Sequence, residues 1–339
     1  MTLEGTRVSE RWLALREPAD ATARSPELVE ELGRHLPATG RRVIHDLGCG
    51  TGAMGRWLAP LLPGPQRWVA HDRDADLLAH AAADLPGPAA DGGAVTVEVK
   101  QNDVTRLHPG ELASATLIVA SALLDLLTED ELAGLVGLCV GVGCPALLTL
   151  SVVGRVDLAP ADPLDRFVAA AFDAHQRRMT EGGRLLGPDA VAAATAEFGR
   201  LGAEVLVRCS PWRLGALQAE LAAKWFAGWV EAACEQQVKL ASDASVYRRR
   251  RLAEARAGQL TVTVAHADLL VLPEPRRESS LRRRACARPV SPSSPGSARL
   301  RRTYAHGPHL GGHGHPEPAK LPGLVRVVAE QGAATPPAP

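Results

Sequence analysis

Apolar residues along this chain gather into short runs separated by polar or glycine-rich breaks, and the spacing of those runs predicts the elements. Residues 43–46, 68–72, 95–100, 116–121 and 146–151 are strand-like, and segments of helical texture separate them. Ser25-Pro26-Glu27 supplies a cap, a first-turn proline and a first-turn acid, so a helix should run to about Leu36. Residues 76–85 are rich in alanine and leucine and predict another, and Thr128-Glu129-Asp130-Glu131 has the form of a capping box that opens a third. Further on, Asp162-Pro163 opens a helix to about Met179, and Gly187-Pro188-Asp189 opens one that ends near Gly202. Residues 204–208 and 260–272 add a sixth and a seventh strand, with a helical stretch at 214–258 between them. Strand and helix in alternation predict a mostly parallel sheet covered by helices on both faces.

Composition supports a folded core, since the chain has 339 residues of which 46% are hydrophobic. Lys plus Arg equals Asp plus Glu at 38 each, so the average charge favours neither a nucleic-acid nor a membrane partner. The average conceals an asymmetry: residues 274–339 hold 11 basic and 4 acidic side chains, which leaves an acidic body carrying a basic tail. That tail also holds 11 of the 26 prolines, and a segment of this composition is expected to stay disordered. The six cysteines form no CxxC pair and fit a reducing compartment, and no signal peptide is visible at the start, so a cytoplasmic location is expected. Residues 132–154 carry no charge over a length that could span a bilayer. Gly141-Val142-Gly143-Cys144-Pro145 interrupts the run, however, and the residues after it read as a buried strand rather than part of a membrane helix.

The most specific chemistry lies at residues 43–52, read VIHDLGCGTG: an apolar strand ending in an acid and three alternating glycines. A glycine-rich turn that follows a strand and feeds a helix removes the Cβ atoms that would block a ligand at the carboxyl end of a sheet. Gly50, Gly52 and Gly55 also satisfy GxGxxG, with Asp72 twenty residues past Gly52, so spacing alone does not separate a dinucleotide from another ribose-bearing ligand. Asp46 does bear on the choice. A pyrophosphate would be repelled by an acid at the mouth of the strand, whereas a cationic ligand would be attracted.

The stretch DLGCGTG resembles the first motif of class I S-adenosylmethionine-dependent methyltransferases. The resemblance implies a Rossmann-like, doubly wound, seven-stranded α/β sheet and S-adenosyl-L-methionine as cofactor. Carried over residue by residue, it implies that Gly48, Gly50 and Gly52 line the methionine and ribose part, with Asp46 ordering the loop and helping the ammonium. Asp72 would accept both ribose hydroxyls, Asn102 and Asp103 would sit at the adenine edge, and Ser121 would end the fourth strand beside the cofactor. Residues 1–39 are then an N-terminal helical segment over the cofactor site and 40–273 the methyltransferase domain, with 274–339 as the tail. The helical insertion at 214–258 departs from the family, which joins its last two strands by a short hairpin.

For the methyl acceptor the expectations are a small molecule and the side chains Asp125, His175, Arg178, Trp212 and Arg213. Spacing puts Leu164, Val168, Ala171, His175 and Met179 on one inward face of a helix, so His175 could serve as a base or as a hydrogen-bonded core residue. The fourth strand runs into VASALLDLL and lacks the Asn/Asp-Pro-Pro-aromatic signature of enzymes that methylate planar amino groups. No Pro-Cys nucleophile is present either. The histidines at 306, 309, 313 and 315 sit among glycine and proline and are not expected to bind metal. Two alternatives stay open: an RNA methyltransferase using the basic tail and the Arg248–Arg251 run, and a catalytically silent cofactor-binding domain. The Tyr247–Arg251 run itself reads as a solvated helix face.

Overall fold

Among the described residues ten strands form in chain order: β1 (Arg42–Leu47), β2 (Gln66–Asp72), β3 (Val95–Gln101), β4 (Leu117–Ser121), β5 (Ala146–Ala159), β6 (Met179–Thr180), β7 (Gly183–Arg184), β8 (Glu204–Cys209), β9 (Trp212–Leu214) and β10 (Thr261–Leu272). The helices are α1 (Glu10–Ala23), α2 (Pro26–His35), α3 (Ala53–Leu58), α4 (Ala75–Ala83), α5 (Glu129–Val142), α6 (Asp165–Gln176), α7 (Ala190–Arg200), α8 (Ala219–Gln236) and α9 (Leu240–Arg256). The computed structural model of the protein describes residues 8–273. The expected tail disorder, the four tail histidines and the first seven residues lie outside the described residues.

The main sheet runs β3-β2-β1-β4-β5-β10-β8, with β9 added beside β10. The first five strands are mutually parallel, and β10 is antiparallel to β5 and to β8. The expected seven strands are thus all present, and the sheet gains one short strand. Alternate residues of each central strand feed opposite faces. Leu117, Val119, Leu147 and Leu270 pack with Leu28, Leu32, Met54 and Leu58 of α2 and α3. Ile118, Ala120, Leu148 and Leu269 pack with Leu135, Val136, Ala194 and Phe198 of α5 and α7. Both faces are covered, which is why these strands read as continuous apolar runs. The strand order reverses between β1 and β4, and the crevice at their carboxyl ends is where such sheets take ligands.

The uncharged stretch at 132–154 divides between α5 and β5. Gly143, in the left-handed conformation at φ 70°, caps the helix before the chain turns into the strand. Among the described residues no helix is long and apolar enough to cross a membrane.

Two expectations change. β5 continues eight residues past its expected end at 151, because its far half pairs with β10 even though Arg155 and Asp157 break the apolar pattern. Helix α6 stops at Gln176, so Met179 falls in the small β6–β7 hairpin and is 72% exposed rather than on a buried helix face.

The insertion is a packed helical pair. Trp225, Phe226 and Trp229 of α8 are buried with Tyr247 of α9, Phe172 of α6 and Trp12 of α1, a second core against the far half of the β5–β10 ribbon. The arginine run is only partly solvated. Arg251 is 1% exposed, paired with Asp165 at 3.2 Å and Glu254 at 2.9 Å, and donates to the carbonyl of Pro160 at 2.7 Å. The buried Tyr247 hydroxyl donates to Asp165 at 2.6 Å, and Arg250 pairs with Asp162. The run therefore fastens the insertion to the start of α6, which a count of charges does not reveal.

Candidate cofactor and acceptor site

The glycine loop is built from backbone bonds. The amides of Gly48 and Cys49 both donate to the carbonyl of His71, at 2.8 and 2.9 Å, which ties the end of β1 onto the end of β2. Gly50 N donates to Asp72 Oδ2 at 2.9 Å, and Asp74 N donates to Asp72 Oδ1 at 3.0 Å. Each carboxylate oxygen of Asp72 thus uses one lone pair and keeps another. Gly48, Gly50 and Gly52 have φ of 70°, 55° and 84°, a region that disfavours side chains, so the alternating glycines are required by the turn itself. Gly55 has an ordinary φ. A Cβ there would meet Pro86 and Trp68, so the last glycine of the GxGxxG match serves packing within the fold.

Helix α1 lies over this loop. Leu13 Cδ1 is 3.1 Å from where a Cβ on Gly50 would be. Glu17 accepts two hydrogen bonds from Arg56 of α3, at 2.7 and 2.6 Å, and Glu10 meets His80 of α4 at 3.0 Å. From the other side, Leu123 after β4 comes within 3.3 Å of a Cβ on Gly48. The inner face of α1 is held by a buried ion pair. Arg16 donates to both oxygens of Asp20 at 2.9 and 3.0 Å, and Asp20 also accepts from Trp212 Nε1 at 3.0 Å.

Two buried groups of opposite sign meet beside the loop with bonding capacity unused. Asp46 is 2% exposed, its Oδ1 has no hydrogen-bond partner among the described residues, and burial raises its pKa to about 7. Asp72 adds to that rise and Arg24 opposes it. Arg24 is 3% exposed. Its Nη2 donates to Ser121 Oγ at 3.1 Å and its guanidinium lies 5.1 Å from the centre of the Trp57 ring, while Nε and Nη1 have no partner among the described residues. Burial lowers the Arg24 pKa, and Asp20, Asp268 and Asp46 counter this. Arg24 was not among the expected site residues. In the chain it stands just before the Ser25-Pro26 cap, where an arginine reads as a solvated linker residue.

Asp268 fixes the base of this arrangement. Its carboxylate accepts from Leu150 N at 2.8 Å, Ser25 N at 2.8 Å and Ser210 Oγ at 2.6 Å, which fastens α2, β5 and the turn after β8 to β10. Leu150, at φ 56°, turns its amide to this side chain where the β5–β10 register shifts.

At the carboxyl ends of β1, β2 and β3 the structure gives a largely buried chain of polar groups. Asn102 Oδ1 is 3.1 Å from His71 Nδ1, and His71 Nε2 is 2.9 Å from His45 Nδ1. The amide oxygen can only accept, so the Asn102 orientation makes His71 Nδ1 the donor. In neutral rings His45 Nδ1 then donates to His71 Nε2. Burial lowers the pKa of both, that of His45 to about 4. Asn102 is therefore engaged inward, and Asp103 caps a short turn, its Oδ1 accepting from Thr105 N at 3.0 Å and Thr105 Oγ1 at 2.7 Å. Both lie just past β3, with Asp103 half-buried.

The expected acceptor residues divide into two groups. His175 at the end of α6 is half-buried and meets Glu235 of α8 at 3.3 Å. Burial and the charge of Arg178 lower its pKa, against Glu235. Arg178 feels the negative charges of Glu235 and Asp125, and Asp125 is buried with Oδ1 unpartnered among the described residues. His175, Arg178 and Asp125 thus share one electrostatic neighbourhood, joined by Glu235, which the sequence did not suggest. Trp212, expected among the acceptor side chains, is instead a core residue. It is 1% exposed, in edge contact with Trp12 and His266, with the Arg16 guanidinium 5.0 Å from its ring centre. Arg213 points away from this core and is exposed on β9. Among the described residues no group of three or more His, Cys, Asp or Glu is placed to hold a metal ion.

A family model described as a methyltransferase domain matches residues 44–142. No curated protein matches the chain significantly. Among solved structures, the cyclopropane synthase MmaA2 from Mycobacterium tuberculosis is similar at 16% identity and a TM-score of 0.43, covering 78% of this chain and 94% of its own. A methyltransferase from Geobacter sulfurreducens with S-adenosyl-L-homocysteine has 17% identity, a TM-score of 0.38 and coverage of 79% and 100%. One from Thiobacillus denitrificans with the same ligand has 14% identity, a TM-score of 0.38 and the same coverage. The matched segment runs from β1 through the glycine loop and Asp72 to the end of α5, and this part of the chain is similar to a methyltransferase domain.

Proposed function

We propose that this protein transfers the methyl group of S-adenosyl-L-methionine to a small-molecule acceptor. The observation that carries the reading is the pair of unsatisfied buried groups at the glycine loop: Asp46 Oδ1, an acceptor, and Arg24 Nε and Nη1, donors. Leaving such groups buried and unbonded costs about 1 to 3 kcal/mol each, and a ligand that bonds both would recover that cost. An amino-acid zwitterion does so, its ammonium toward Asp46 and its carboxylate toward Arg24. A pyrophosphate would meet Asp46 with like charge.

In this reading Gly48, Gly50 and Gly52 let the ligand approach the backbone, and Ser121 holds Arg24 in position. Asp72 accepts from the ribose hydroxyls with its spare lone pairs, and Asn102 and Asp103 border the adenine. When bound, the cofactor supplies a methyl group already activated on a sulfonium. The protein's own work is then to hold the acceptor in line, a contribution of up to about 7 to 11 kcal/mol. His175 stays neutral at pH 7 because its pKa is lowered, so it can take a proton from the acceptor while Glu235 orients the ring. Arg178 and Asp125 supply one cationic and one anionic contact for the acceptor. Helix α1 lies over Gly50, and in this reading residues 1–39 cover the site while 40–273 build it.

The test is to incubate the full chain with methyl-tritiated cofactor and, in parallel, a panel of small hydroxyl, amine and acid acceptors and total RNA. Label in a small-molecule product, reduced at least tenfold in His175→Ala, is expected. Label only in RNA would transfer the reading to nucleic acid, and cofactor binding without any label would make the domain catalytically silent.

A further inference from the structure

On the side of α1 away from the glycine loop, a groove of about 610 Å³ runs between α1, α8 and α9. Its volume falls in the range of sites that enclose a small organic ligand. The lining has two characters. Trp12 and Leu15 of α1, Ala223 and Ala227 of α8 and Leu252 of α9 give it an apolar floor. Arg11, Lys224, Arg248 and Arg256 stand along it against one acid, Glu220. Arg11 and Glu220 pair at 3.5 Å with side chains 90% and 70% exposed, so water screens that contact. Lys224, Arg248 and Arg256 have no carboxylate partner among the described residues, although the folded body as a whole is acidic.

Unpaired cations beside an apolar floor exclude most ligand classes. A cationic or neutral polar molecule would gain nothing from three uncompensated positive charges, and a small inorganic anion would leave the apolar floor in water. The basic tail is excluded as occupant by its own charge. We infer that this groove binds an anionic amphiphile, a molecule with an alkyl body ending in a carboxylate or phosphate head. The alkyl body covers the floor, where each buried methylene contributes about 0.8 kcal/mol, and the head meets Lys224, Arg248 and Arg256. Arg248 and Arg256 are eight residues apart on α9, so they line one side of the groove about two turns from each other.

The test is calorimetric titration of the full chain, below the critical micelle concentration, with dodecanoate and dodecyl phosphate, and with dodecyltrimethylammonium and butyrate as controls. Saturable binding of either anionic amphiphile is expected, and comparing the two identifies the head. Butyrate and the cationic amphiphile should bind at least tenfold more weakly. Lys224→Glu/Arg248→Glu changes only exposed side chains and should weaken binding at least tenfold. Ala223→Leu, which fills the floor and keeps every charge, should also weaken it. Equal affinity for the cationic amphiphile, indifference to the charge reversal, or no binding of either anion would overturn the inference. So would saturation that appears only after residues 2–7 are deleted, because the groove would then belong to the chain's own N-terminal segment.

Discussion

Leu13 packs tightly on Gly50: its Cδ1 lies 3.1 Å from where a Cβ on Gly50 would be, closer than ordinary van der Waals contact. Helix α1 and the glycine loop therefore depend on each other, and the φ of 55° at Gly50 adds an independent demand for glycine. Gly50→Ala is expected to abolish cofactor binding and to cost about 1 to 3 kcal/mol of stability. Adding Leu13→Ala removes the contact but not the backbone strain, so the double variant should recover only part of the loss. Full recovery in chemical unfolding would mean that packing alone selects the glycine.

Asp46 should trade stability for binding. Its pKa in the folded state is about 7, above the ordinary 3.8, so the folded protein holds the proton longer than the unfolded chain. That contribution is complete below the ordinary carboxylate range and is lost as pH rises through 7. Asp46→Asn is predicted to be more stable than wild type at pH 8 without ligand, by about 1 to 3 kcal/mol. It should bind the cofactor at least tenfold more weakly. Urea unfolding at pH 5.5 and pH 8 checks the first part, and an unchanged difference between the two pH values would refute it.

The histidine pair predicts the opposite slope. Burial lowers the His45 pKa to about 4, so the unfolded chain binds the proton first as pH falls below 6.5. Stability from this group is complete above 6.5 and declines toward pH 4. His45→Gln should flatten the decline, measured as the denaturation midpoint between pH 7 and pH 4.5. A variant whose midpoint falls as steeply as that of wild type would assign the acid sensitivity elsewhere.

Within the arginine run of α9, burial separates the members. Arg251→Ala leaves Asp165 and Glu254 without their shared partner and should cost about 3 to 5 kcal/mol, whereas exposed Arg249→Ala should stay within about 0.5 kcal/mol. Thermal unfolding of the two variants side by side is sufficient, and equal midpoints would contradict the packing described for the insertion.

The strands and the glycine loop could be read in the sequence because each is a local demand: alternation on a two-faced sheet, and three positive φ values in five residues. Asp72 followed from its place at the end of β2. Arg24, Leu13 and Glu17 could not be read, since they reach the loop from α1 and its C-cap, more than twenty residues upstream in the chain. Arg16–Asp20 and Arg251–Glu254 look in sequence like surface pairs at helical spacing, and only the tertiary fold buries them. Trp212 has the same cause: α1 folds over it, and nothing near residue 212 announces that cover.

The most direct measurement is calorimetric titration of the full chain with S-adenosyl-L-methionine, S-adenosyl-L-homocysteine and NADH, repeated on Arg24→Ala. Binding of both sulfur ligands in the micromolar range is expected, with none for NADH and a loss of at least tenfold in the variant. Binding of NADH alone, or wild-type affinity for the sulfur ligands in folded Arg24→Ala, would contradict the zwitterion site built from Asp46 and Arg24.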